Sequence, residues 1–125
     1  MKSIILAAVL AASPAVAGQP ISESLLECAA LFDSSNRWFP ERASSPKARK
    51  IQAVTDALLG EAERVAQEEG RREVVAYMTQ VWHAKQDSWD ARGKFYMFTD
   101  DGQDWFAYCA SLARHRGLDL SAAAD

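Results

Sequence analysis

The chain has 125 residues, 14 Lys and Arg against 17 Asp and Glu, and a formal net charge of −3. That length suits one folded domain rather than two, and the mild acidity excludes the overall basic footprint that recruits nucleic acid or anionic lipid. A domain of this size leaves much of its surface wet, so a covalent cross-link would help to hold it together.

The first seventeen residues read as a secretory signal peptide. Lys2 supplies the positive start, Ile4 to Ala12 an uncharged apolar core, and Pro14 a helix break. Ala15-Val16-Ala17 places small residues on either side of Val16, which puts the expected cleavage between Ala17 and Gly18. The apolar run is too short to span a bilayer, and no later run approaches spanning length, so no membrane insertion of the mature chain is expected. Cys28 follows Leu25-Leu26-Glu27, well past the cleavage site, and so does not fit a lipid-anchor cysteine. The short basic start and alanine-rich core suit bacterial export. A periplasmic or secreted location follows, where disulfides persist. The expected layout is a signal peptide over 1–17 and a single helical domain over 18–125, with thirteen cations against seventeen acids once Lys2 has left.

Four helical segments follow in chain order. The first, about Ser22 to Asp33, repeats Ile21, Leu25, Cys28 and Phe32 at helical spacing, and Ser24 with Glu27 has capping-box spacing. Ser34 to Ser45 reads as a loop. The second starts at Ser45-Pro46, an N-cap followed by a first-turn proline, and carries the stripe Ile51, Val54, Leu58, Ala62 and Val65 toward a stop at Gly70. The third, about Arg72 to Arg92, shows Val74, Met78, Val81, Trp82 and Trp89, with Gly93 as its C-cap. Lys94 to Phe98 is a short aromatic connection. The fourth starts at Thr99 to Asp101, where Asp100 and Gln103 have capping-box spacing, shows Trp105, Cys109 and Leu112 on one face, and stops at Gly117-Leu118. Strand-type alternation is absent, so the expected fold is all-α, a small up-and-down four-helix bundle.

Cys28 and Cys109 sit on the apolar stripes of the first and last segments, which are neighbours in that topology. A disulfide between them is expected. It closes a loop of about 80 residues, for which the chain-entropy model gives roughly 4–4.5 kcal/mol. Two cysteines 81 positions apart do not resemble a zinc site, and no Cys-x-x-Cys marks a redox centre.

No catalytic residue and no metal ligand emerges. His83 and Asp87 share a helix face, which by itself describes a surface histidine beside a carboxylate. His115 lies between Arg114 and Arg116, a poor setting for a cation. Met78, Met97 and His83 are too few and badly spaced for copper, and the acids around Asp100 lack the alternate spacing of a calcium loop. No cofactor is expected. Eight aromatic rings fall between Trp82 and Tyr108, and the connection Lys94-Phe95-Tyr96-Met97-Phe98 is unusually apolar for a surface turn. Trp89, Phe95, Tyr96 and Phe98 therefore form the expected binding patch, with Tyr96 as its most exposed member because its hydroxyl tolerates water. Taken together, these features describe an exported, non-enzymatic binding module whose partner is another protein. The alternative is a carrier or sensor of a small apolar ligand held in the bundle core.

Overall fold

A computed structural model describes residues 18–120. The expected signal peptide, its cleavage site and the tail Ser121 to Asp125 lie outside the described residues, apart from Gly18 itself. Within them the chain is all-helical: α1 (Ile21–Trp38), α2 (Pro46–Glu68), α3 (Val74–Arg92) and α4 (Asp100–His115). Short 3-10 turns occupy Pro40–Arg42 and Lys94–Phe98. The result is a four-helix bundle whose first and last helices are joined by the Cys28–Cys109 disulfide.

The helix boundaries follow local chemistry. Ser45 caps α2 by accepting the Ala48 N–H, with Pro46 in the first turn. Gly70, at φ +80°, ends α2: its N–H reaches the Gln67 carbonyl, and the Arg71 N–H reaches that of Ala66. Gly117 repeats this double bond at the end of α4, to Arg114 and with Leu118 to Ala113, which is the expected Schellman stop.

Three local expectations need correction. Half of the expected loop after Asp33 is helical, because α1 runs on to Trp38. Ser34 turns its hydroxyl back onto the Leu31 carbonyl, and Arg37 pairs with Asp33 one turn earlier and with Asp90 of α3. Ser24 and Glu27 form no capping box. Both are buried inside α1, where the Gln19 amide donates to each. The cap of α4 is Thr99, not Asp100: its hydroxyl accepts the Gly102 N–H, while the Gln103 amide donates to the Met97 carbonyl.

α1 is the centre of the bundle. Every residue from Ser24 to Leu31 is buried, a run of more than two turns that covers all faces of the helix. Ser22, Ser24, Cys28, Ala29, Ala30 and Ser34 keep it thin, so α2 and α3 approach closely from two sides. α2 contributes Val54, Leu58, Ala62 and Val65 to the core, and α4 contributes Cys109, Leu112 and Ala113. Cys28 and Cys109 are fully buried, with Cα atoms 5.4 Å apart.

α3 docks differently. Trp89 is its one buried residue, its indole N–H bonded to the Glu27 carbonyl at 3.0 Å. Half-buried Met78, Val81 and Trp82 also pack against the core, and polar contacts tie α3 to α1 at three heights. Tyr77 donates to the Ser22 hydroxyl at 2.7 Å, Lys85 pairs with Glu23 at 3.0 Å and Glu27 at 3.6 Å, and Asp90 accepts from Arg37 and from the Trp38 indole.

Candidate functional site

Both odd-numbered connections lie at one end of the bundle, since α1 and α3 end where α2 and α4 begin. Asp90 fixes the two together by accepting from Arg37 at 2.8 Å and from the Trp38 indole at 3.0 Å. The Lys94 ammonium sits 4.9 Å above the Phe39 ring, and the Arg42 guanidinium lies 4.6 Å from the same ring.

The Lys94–Phe98 turn is a tightly bonded structure rather than a slack loop. Gly93, at φ +88°, makes the reversal, and its carbonyl accepts the Tyr96 N–H at 3.2 Å. The Tyr96 carbonyl accepts from the Thr99 N–H at 3.0 Å and from the Thr99 hydroxyl at 2.6 Å. The Gln103 amide holds the Met97 carbonyl at 2.6 Å. Buried Gly102 lets α4 press against this backbone: a Cβ there would overlap the Tyr96 oxygen and come to 3.0 Å from Met97 Cα.

This frame sorts the four residues of the expected patch. Phe95 and Phe98 face solvent, 80% and 79% exposed, while Tyr96 and Met97 turn toward the core. Tyr96 is therefore not the most exposed member. Its ring lies 6.0 Å from Trp89, and its hydroxyl donates to Asp101 and accepts from Arg92. Burial first, then the bond to Asp101, pushes its phenol above the ordinary value, so it stays protonated. Trp89, only 2% exposed, is a core residue beneath the turn and not a surface member. It meets Trp105 edge-on at 5.2 Å, and the Arg92 guanidinium covers it at 4.3 Å. The rings thus divide into a rigid inner layer and two outward phenyl groups.

The remaining candidates do not assemble a reaction centre. His83 and Asp87 are exposed on α3 and His115 on α4, and no cluster of three or more metal-ligating side chains occurs among the described residues. Ser22 and Glu69 are 2.6 Å apart, a pairing the sequence reading missed because 47 positions separate them. Ser22 is fully buried, and Glu69 also accepts its backbone N–H at 3.1 Å. This carboxylate therefore caps α1 from another helix, where Pro20 offers no side-chain cap of its own. A shallow groove of about 250 Å³ lies between α2 and α3, lined by Leu26, Leu59, Gly60, Glu63, Met78 and Trp82 among others.

No helix among the described residues is long and apolar enough to cross a membrane. No protein-family model, no curated protein and no solved structure matches the chain.

Proposed function

We propose that the protein is an exported, non-enzymatic binding module that contacts another protein through the Lys94–Phe98 turn. The observation that carries this reading is the outward pair Phe95 and Phe98 on a backbone whose carbonyls are held by Thr99 and Gln103. Large apolar side chains left in water at the centre of a rigid turn are costly unless a partner covers them. A preformed frame also lowers the ordering cost of association. A buried disulfide agrees with the oxidising compartment that the signal sequence implies, periplasmic or secreted.

The carrier reading retains one observation in its favour, the groove beside Gly60 with Met78 and Trp82 in its wall. It is smaller than the ~300–1,000 Å³ of ordinary ligand sites.

The test is affinity capture of mature protein from its native host compartment, comparing wild type with the Phe95→Ser/Phe98→Ser double variant. A specific protein captured by wild type and lost in the variant, with the melting temperature unchanged, supports the reading. Equal capture by both removes the turn from the reading, and capture of none with an apolar ligand co-purifying favours the carrier instead.

A further inference from the structure

The helix macrodipole favours acids at a helix start and cations at its end. α4 follows this rule, with Asp100 and Asp101 in its first turn and Arg114 and His115 in its last. α2 inverts it, having no acid in the first turn and no base in the last. Lys47, Arg49 and Lys50 open the helix and Glu68 closes it. The acids near its end have internal roles: Glu69 caps α1, and Glu61 holds Arg64 and Arg116. The cations at its start oppose the dipole, so the dipole does not account for their placement, and Arg49 donates to the Ser44 carbonyl.

These cations belong to a longer basic stretch. Residues 39–50 hold Arg42, Lys47, Arg49 and Lys50 against Glu41 alone, a net +3 within a chain of −3. The stretch is continuous with the aromatic turn, because Arg42 and Lys94 flank the same Phe39 ring. A cleft of about 340 Å³ opens beside it, lined by Asn36, Arg37, Arg49 and Gln52 among others. Asp33 is in that wall too, engaged by Arg37 Nη1 at 2.9 Å. Arg37 Nε is buried and has no hydrogen-bond acceptor among the described residues.

We infer that the partner docks here with an acidic segment carrying an apolar side chain. The inference rests on the protein-binding reading above and names the chemistry of the partner. Phe95 and Phe98 cover the apolar side chain, while the 39–50 stretch and Lys94 take the carboxylates. Asp100, Asp101 and Asp104, which follow Phe98 in the chain at the exposed start of α4, add acidic groups to this end of the molecule. A flat anionic bilayer would meet those acids together with the cations, whereas a peptide can lay its charges along the basic side only. Complementary charge of this kind fixes register and raises the rate of encounter.

The test places a photo-crosslinking benzophenone side chain at Phe95 or Phe98, with exposed Val75 at the start of α3 as the control position, in full-length protein expressed in its native host. The same positions are then labelled in the Arg42→Glu/Arg49→Glu variant. Arg42 is exposed in the turn before α2 and an acid at 49 agrees with the dipole of α2, so this variant should keep its melting temperature; Lys94→Glu serves as the second variant if it does not. The expected result is a protein adduct from 95 and 98 but not from 75, attached to a peptide rich in Asp or Glu. Its yield should fall about tenfold on charge reversal, the equivalent of ~1.4 kcal/mol, and should fall again as salt rises. A protein adduct indifferent to charge reversal and salt, or joined to a non-acidic peptide, overturns this inference and leaves the protein-binding reading standing. Adducts only to phospholipid, or none at 95 and 98, overturn both.

Discussion

At the scale of single residues, two glycines separate helix stability from surface geometry. Gly60 lies within α2, and a Cβ there meets nothing within 4 Å. Gly60→Ala should stabilise the protein by about 1 kcal/mol through helix propensity alone. Gly102→Ala should do the opposite, costing about 1–3 kcal/mol as the added methyl pushes on the Tyr96–Met97 backbone. Paired thermal melts check both signs, and a neutral Gly102→Ala would mean that the turn yields easily. Glu69 gives a pH prediction. Burial works against its charged form, but the Ser22 hydroxyl and N–H and the Arg71 guanidinium outweigh it and hold the carboxyl below its ordinary 4.5. A folded value below the unfolded one means stability that is present above pH ~4.5 and lost as the pH falls through the folded value. Unfolding curves for wild type and Glu69→Gln should therefore converge on acidification below about pH 4.5. Curves that stay parallel down to pH ~3 would remove this cap from the account of α1.

At the scale of elements, most helix ends and the apolar stripes of α2 and α4 were legible, and the burial of α1 was not. Ser45-Pro46, Gly70, Gly93 and Gly117 each punctuate the chain where short-range chemistry requires it. The extension of α1 through Ser34-Ser35-Asn36 was hidden, because those residues favour turns and the compensating partner, Asp90, is 53 positions from Arg37. The central position of α1 was equally hidden. Ser24 and Glu27 read as a capping box rather than as buried groups, and Gln19, Glu69, Tyr77 and Lys85 supply the partners that make the burial of Ser22, Ser24 and Glu27 tolerable. The split between Phe95 and Phe98 outside and Tyr96 inside depends on Gly102, which carries no hydrophobic signal at all. The polar docking of α3 yields a further prediction. Lys85→Ala leaves Glu23 and the buried Glu27 without their cation, and should cost about 1–3 kcal/mol. Hydrogen exchange should show the loss concentrated in α3, whereas uniform loosening of all four helices would mean that α3 is not a separately held element.

At the scale of the whole molecule, the disulfide ties the central helix to the last one across 81 positions. Replacing Cys28 and Cys109 together by Ala should lower stability by about 2–5 kcal/mol, with chemical denaturation as the measurement. A loss under ~1 kcal/mol would show that the α1–α4 contact stands without it. Net charge concealed what matters at this scale: a mildly acidic total masks a basic stretch beside two exposed phenyl rings. Export is the condition on which both the disulfide and the choice of partner depend. Intact-mass measurement of protein purified without reductant from its native host tests it directly. The expected species is a monomer beginning at Gly18 and two hydrogens lighter than its reduced form. A chain that still carries residues 1–17, with both thiols free, would contradict export, and with it the reading of this surface as the contact site of an exported protein.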